Sequence, residues 1–291
     1  MSSKDVITVG QWLKTTTDRF KQAELENPRL DARVLIAAAL SVDQARLFSH
    51  PEMPVSAEQN VAIGKFVERR LGREPVARIV GVREFWSLDF FVDASTLIPR
   101  PDSETLVDTV LGKIEDPLAA LSILDVGTGS GCLILALLSE LEHAQAVAID
   151  VNPSAIEVAK RNAQALGLDG RIRFRVSDWL NDLQMDARGP FDFIISNPPY
   201  IASDEIENLA DDVAMFDPLL ALSGGDDGLE AYRTLLPQLP DCLARGGAVC
   251  LEIGWDQASD VIDIGRQAGL TGSEVVKDLA GHDRVVLFGV P

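Results

Sequence analysis

The sequence predicts an α/β protein: a small helical bundle over residues 1–76, a β-hairpin linker within 77–100, and a mostly parallel sheet with helices on both faces over 101–291. Three observations predict it. Up to about residue 76, apolar residues recur at helical spacing between capping residues. From Ile79 the apolar period shifts to that of strands. Beyond about residue 120, short β-rich runs alternate with helical stretches and close in a strand pair, the order of a sheet wound with crossover helices.

In the first part, Thr8 is placed to cap a helix carrying Val9, Trp12, Leu13 and Phe20. Asn27-Pro28 opens a second helix with Leu30, Val34, Leu35 and Ala38 on one side, proline being well suited to a first turn. Asp43 starts a short third. Ser56-Ala57-Glu58-Gln59 has capping-box form ahead of a fourth, with Arg69 and Arg70 in its last turn and Gly72 as its stop. Nothing in this bundle carries chemistry, so its role is either to recognise a partner, which is the expectation, or only to pack.

Ile79 to Trp86 and Leu88 to Val92 read as the hairpin. Ile98-Pro99-Arg100-Pro101-Asp102-Ser103-Glu104 follows. Its carboxylates either favour the N-terminus of a helix beginning near Ser103 or line a pocket. Leu121 to Val126 is a strand, Gly127-Thr128-Gly129-Ser130-Gly131 a glycine turn, and Cys132 to Leu141 a helix. Glycines there let a ligand approach the backbone and its N–H groups. The turn is not the dinucleotide fingerprint, because its third glycine comes one residue early and Cys132 stands in that place. The form D-x-G-x-G-x-G instead resembles the first motif of S-adenosylmethionine-dependent methyltransferases.

A second strand ends in Asp150, where a carboxylate can bond both hydroxyls of a ribose. Asn152 is the better cap for the helix beginning at Pro153, which frees Asp150. A third strand ends in Ser177-Asp178-Trp179. Asp178 can accept from an adenine amine, and Trp179 can either lie against the ring or pack locally. The fourth strand, Phe191 to Ser196, runs into Asn197-Pro198-Pro199-Tyr200. Two prolines end the strand in a stiff loop at its carboxyl end, where open α/β sheets place ligands. The Asn197 amide oxygen and the Pro198 carbonyl are two close acceptors suited to a planar NH2 group, and Tyr200 can cover its face. A fifth strand over Ala248 to Ile253, a helix from Gln257 and strands at Glu274 and Arg284 complete the series.

Composition narrows the partners. With 46% apolar residues a full core is expected. No apolar run approaches the roughly 18 residues of a membrane span. Met1 to Asp5 lacks an apolar signal region, and the three cysteines, Cys132, Cys242 and Cys250, are odd in number and scattered, so a reducing cytoplasm is expected. The three histidines are equally scattered, and no metal is assigned. Residues 1–76 carry a net charge of +1 and residues 77–291 a net of −20. So acidic a body repels nucleic-acid phosphates and attracts a cationic protein.

The ordered motifs resemble those of the peptide chain release factor glutamine N5-methyltransferases (PrmC, also called HemK). The resemblance runs from about Leu30 to the C-terminus. It rests on Asp31-Ala32-Arg33, Gly81-x-x-Glu84-Phe85-Trp86, Ile98 to Pro101, Gly127 to Gly131, Asn197 to Tyr200, Pro218-x-x-Ala221-Leu222, Gly224 to Arg233, Leu251-Glu252-Ile253-Gly254 and Asp278 to Gly281. Two departures are conservative: Asp102-Ser103 replaces the family's Glu-Thr, and Asp217 replaces a glutamate. They put carboxylate reach in question. The ribosomal-protein L3 glutamine methyltransferases share much of the pattern but lack the Arg-Pro-acidic sequence.

The resemblance implies a Rossmann-like class I S-adenosylmethionine-dependent methyltransferase sheet and S-adenosyl-L-methionine as cofactor. The implied substrate is the glutamine of a release factor's Gly-Gly-Gln loop, methylated on its side-chain nitrogen by a monomer. It implies cofactor binding by Gly127, Thr128, Gly129, Ser130, Gly131, Asp150, Asp178, Trp179 and Asn197. Substrate binding falls to Asn197, Pro198, Pro199 and Tyr200, with Asn197, Pro198 and Tyr200 also catalytic. The alternative is an N-methyltransferase of a ribosomal-protein glutamine or a nucleic-acid exocyclic amine.

Overall fold

The computed structural model describes residues 7–181 and 189–289; the Met1–Asp5 stretch considered for targeting lies outside them. The chain divides into two compact units, Met1–Gly81 and Val82–Pro291.

The first unit is helical. Helix α1 (Val9–Gln22) begins at a complete capping box between Thr8 and Gln11. Helix α2 (Pro28–Leu40) has Pro28 in its first turn, and α3 (Gln44–Ser49) starts where Asp43 accepts from the Arg46 N–H. The Ser56–Gln59 box opens α4 (Ala57–Leu71). The starts of α1, α3 and α4 use a side chain to satisfy N–H groups that the helix leaves unpaired, whereas α2 has no side-chain cap and begins on Pro28, which has no N–H to satisfy. Val9, Phe20, Leu35, Ile36, Leu47, Ile63 and Val67 meet in one core. Asp31 and Arg70 form a buried 2.7 Å ion pair joining α2 to α4, which gives the Asp31 of the first motif a structural purpose.

One expectation fails here. Ile79 and Val80 are not strand: Val76–Val80 is a short helix, α5, ended by Gly81 at φ 81°. An apolar run this short does not distinguish helix from strand; burial of Ile79 in the helical core decides. Gly72 does follow α4 as its C-cap, with an ordinary φ of −76°, and the left-handed residue is Arg73, at φ 69°.

The second unit opens with the hairpin, β1 (Val82–Phe85) and β2 (Leu88–Phe91), turning on Trp86 and Ser87, both at positive φ. A short 3-10 turn at Pro101–Ser103 leads into α6 (Glu104–Gly112). Then follow β3 (Ser122–Val126), α7 (Cys132–Glu140), β4 (Gln145–Asp150), α8 (Pro153–Ala165), β5 (Ile172–Val176) and β6 (Phe191–Ser196). After β6 come α9 (Asp211–Ala214), α10 (Glu230–Leu235), β7 (Leu243–Glu252), α11 (Ala258–Gln267), β8 (Ser273–Lys277) and β9 (Asp283–Phe288).

Among the described residues the sheet has seven strands in the order β5-β4-β3-β6-β7-β9-β8. All neighbours from β5 to β7 are parallel, and β9 is antiparallel to both its neighbours. Side chains alternate between two cores. Ile123, Phe193 and Ile195 face one with α6 and α7; Leu124, Ile194, Val249 and Leu251 face the other with α10 and α11. Central strands buried on both faces account for their unbroken apolar runs. The order reverses at β3, whose neighbours are β4 and β6, so a crevice opens at the carboxyl ends there.

Candidate active site

Two adjoining cavities occupy that crevice. The larger, about 300 Å³, is lined by Gly127, Gly129, Asp150, Asp178, Trp179 and the Pro198-Pro199 pair, with others. The smaller, about 190 Å³, is lined by Arg100, Asn197, Tyr200, Ile201, Leu222 and Glu252, with others. Leu97 and Ala221 stand in the walls of both.

The glycine turn divides its work. Gly127 and Gly129 line the large cavity at positive φ, 75° and 56°. Thr128, Ser130 and Gly131, grouped with them in the sequence reading, do not line it. Thr128 is turned inward, its hydroxyl donating to Asp125 Oδ2 at 2.6 Å. Ser130 is buried, and its carbonyl accepts from Asn162 Nδ2 at 2.8 Å. Gly131 lies against Leu135 and Ala159. These three shape the turn from behind.

Asp150 ends β4 in the cavity wall. Oδ2 accepts from the Gly129 N–H at 2.9 Å and Oδ1 from the Asn152 N–H at 2.8 Å. Burial raises its pKa, and the two N–H groups pull it back. Asn152 is the cap of α8, as read from the sequence, accepting from the Ser154 N–H at 3.0 Å. Trp179 has φ 50°, an unusual conformation for a large side chain. The Ser177 hydroxyl holds it there, donating to the Trp179 carbonyl at 2.6 Å.

Across the crevice, the Ser196 hydroxyl donates to the Val126 carbonyl at 2.7 Å, tying the end of β6 to β3. Asn197 lines the small cavity and not the large one. Its Nδ2 donates to the Ser103 hydroxyl at 3.3 Å, which leaves Oδ1 as the acceptor. The Tyr200 hydroxyl donates to Glu252 Oε1 at 3.3 Å, and its carbonyl accepts from Gln257 Nε2 at 2.9 Å. Burial holds the Tyr200 phenol well above its usual pKa. Ile201 and the Leu222–Gly224 segment exchange backbone hydrogen bonds, strapping the loop down. Gly228, at φ 74°, lies directly under the Tyr200 carbonyl, with no room for a Cβ.

The Ile98–Glu104 segment only partly lines the site. Arg100 lines the small cavity and pairs with the buried Asp217 at 2.6 Å, so the aspartate reaches despite being shorter than glutamate. Asp102 stands 3.6 Å from Arg284. Glu104 instead accepts from the Trp86 N–H at 2.8 Å and holds the hairpin turn. Three contributors had no sequence signal of their own. Ser95 to Leu97 line the large cavity from a plain loop. Asn162 ties the Phe91 backbone to the glycine turn. Glu252 was noticed only within its motif.

The large cavity fits a nucleoside amino acid. It offers backbone at two glycines, carboxylates at Asp150 and Asp178, and an aromatic face at Trp179. Residues 118–240 match the methyltransferase domain family, and residues 11–81 match the PrmC N-terminal domain family. A methyltransferase from Pyrococcus furiosus shares the fold with a TM-score of 0.51 at 19% identity, covering 77% of this chain and 98% of that one. Fold and site together define an S-adenosylmethionine-dependent methyltransferase of class I.

Relatives narrow this further. The release factor glutamine methyltransferase of Rhodospirillum rubrum is 43% identical over 286 residues, 98% of this chain and 86% of that protein. That of Caulobacter vibrioides is 41% identical over 270 residues, 93% and 92% of the two chains. The chain belongs to the release factor glutamine methyltransferase family.

Proposed function

We propose that this protein methylates the side-chain amide nitrogen of the glutamine in the Gly-Gly-Gln loop of a peptide chain release factor. The observation that carries the reading is the pair of adjoining cavities, with Pro198-Pro199 in the wall of one and Asn197 and Tyr200 in the wall of the other. The acceptor motif stands where a donor site and an acceptor site meet.

S-adenosylmethionine supplies an electrophilic methyl on a sulfonium, a good leaving group. Gly127, Gly129, Asp150, Asp178 and Trp179, which line the large cavity, would hold it. An amide nitrogen is a poor nucleophile because its lone pair is delocalised into the carbonyl. Asn197 Oδ1 and the Pro198 carbonyl accept its two N–H bonds, aim it at the methyl and stabilise the positive charge that develops on it. Orientation of this kind supplies roughly 7–11 kcal/mol in well-aligned systems. Tyr200 covers the amide face. As the N–C bond forms, the methyl's bond to sulfur would break with its electron pair left on sulfur, and the now acidic nitrogen-bound proton would leave to water.

The helical unit is assigned to recognition of the release factor. A depression of about 550 Å³ there is lined by Lys14, Lys21, Arg29 and Arg33 beside Leu30 and Phe48, the last 63% exposed. Among the described residues no helix is long and apolar enough to cross a membrane. The free cysteines favour a cytoplasmic location, and the −20 body disfavours nucleic acid; a monomer is the expected state. The test is labelled S-adenosylmethionine with a release factor, beside a copy whose loop glutamine is alanine. Label in the first alone supports the assignment; label in DNA, RNA or ribosomal protein instead overturns it.

A further inference from the structure

Glu252, the last residue of β7, is 2% exposed and lines the small cavity. A carboxylate buried without full hydrogen bonding is costly, so its presence at an acceptor site calls for a purpose. Oε1 accepts from the Tyr200 hydroxyl at 3.3 Å. Oε2 is buried and meets no donor in strict hydrogen-bonding geometry among the described residues, although the nearby Ser103 hydroxyl steadies the carboxylate. Its main-chain carbonyl accepts from the Tyr232 hydroxyl at 2.8 Å, which fixes the backbone. Arg284, across on β9, is bound to Asp278 at 3.1 Å and stands 3.6 Å from Asp102.

We propose that Glu252 is a positioning residue for methyl transfer: its carboxylate anchors the Tyr200 hydroxyl and so holds the ring that covers the acceptor amide. The proposal rests on reading the Asn197–Tyr200 cavity as the acceptor site. Tyr200 itself follows two prolines, so its backbone is stiff, and its carbonyl is bound by Gln257. What remains to be set is the ring, and Glu252 is what its hydroxyl meets. Strand order makes the pairing possible: β7 lies beside β6, in register at Ser196 and Leu251.

Ionisation enters because a hydrogen bond to a carboxylate is stronger than one to a neutral acid. Burial lifts the Glu252 carboxyl to about 7. Ser103, Arg284 and Tyr200 pull it down, and Asp102 pushes it up. Tyr232, Arg100 with its partner Asp217, and the Cys132 thiol also stand close to this carboxylate or its cavity. Acidification through about pH 7 therefore converts the anchor to its weaker, neutral form.

The test compares Glu252→Gln, Glu252→Ala, Tyr200→Phe and the Ala/Phe double variant with the wild type, using S-adenosylmethionine and a release factor. Tyr200→Phe and Glu252→Ala each lower kcat about tenfold, with KM for the protein within about twofold, and the double variant loses no more than Glu252→Ala alone. Glu252→Gln keeps an acceptor oxygen without the charge, so its kcat lies between wild type and Glu252→Ala, at the level the wild type reaches once Glu252 is protonated. The wild-type fall in kcat below about pH 7 disappears in Glu252→Gln and in Tyr200→Phe. Multiplying losses in the double variant, an unchanged kcat in Glu252→Ala, or an acid limb that survives in Glu252→Gln overturns the proposal. If Glu252→Ala does not fold, the three remaining pH profiles decide. Asn197→Ala is run alongside: wild-type kcat there refutes the site reading itself, whereas a large loss with unaltered Glu252 variants refutes only the anchor.

Discussion

Replacing Asn197 by alanine separates the two cavities functionally. Its side chain lines only the small one, and its recorded hydrogen bond goes to Ser103. The large cavity keeps Gly127, Gly129, Asp150, Asp178 and Trp179 untouched. Cofactor affinity should therefore change by less than about twofold. The amide nitrogen loses one of two acceptors aimed at the charge it develops. Removing one such preorganised group typically costs about 100- to 1000-fold in kcat, or about 2.7–4 kcal/mol. We expect the lower end, because the Pro198 carbonyl remains. Turnover is measured at saturating release factor and S-adenosylmethionine, and cofactor affinity by titration calorimetry. Comparable losses in both quantities would refute the division of labour. Ser103→Ala is the companion variant. It removes the group that orients Asn197 while leaving Oδ1 in place, and should cost about tenfold in kcat.

Further outcomes follow from the same geometry. Asp150→Ala should weaken S-adenosylmethionine binding by at least about tenfold, since it removes a cavity carboxylate and the acceptor for the Gly129 N–H; calorimetry reads it directly. Gly228→Ala sets a Cβ against the Tyr200 carbonyl at φ 74°, costing at least about 2 kcal/mol and lowering Tm by roughly 4–8 °C. Asp31→Ala leaves Arg70 buried and unpaired, a loss of about 3 kcal/mol; replacing both by apolar residues should restore much of it in a denaturant melt. Asp125 is fully buried, and burial lifts its carboxyl to about 7. Between about pH 4 and 7 the native protein retains a proton that the unfolded chain has released, so this group's contribution to stability falls as pH rises, by at most about 1.4 kcal/mol per unit. Asp125→Asn should therefore gain Tm relative to wild type at pH 8 and not at pH 4.

Much of this protein was legible without coordinates because its signals are local. Thr8, Asp43, Ser56 and Asn152 each cap the helix beside them, within three residues of the N–H they satisfy. The unbroken apolar runs at Ile123 and Ile194 belong to strands buried on both faces. The rigidity of two prolines and the chemistry of an amide marked Asn197 to Tyr200 as the place to propose an acceptor site, and these residues line the two cavities. Asp150 was separable from Asn152 by capping preference alone.

Tertiary structure decided whatever depended on partners distant in sequence. Ile79 and Val80 fit a strand or a helix equally well in isolation, and packing in the helical core chose the helix. Within the glycine turn, composition could not tell Gly129, which faces the cavity, from Ser130, which is turned away to meet Asn162. Glu104 read as a helix-end carboxylate and stands in the first turn of α6, but its bond to a hairpin turn 18 residues earlier was not legible. Glu252 has no local chemistry to mark it; its meeting with Tyr200, 52 residues away, exists because the sheet order sets β7 beside β6. Capping and chain stiffness act over a few residues and are written in sequence, whereas burial and hydrogen-bond partnership across strands exist only once the sheet has closed the distance.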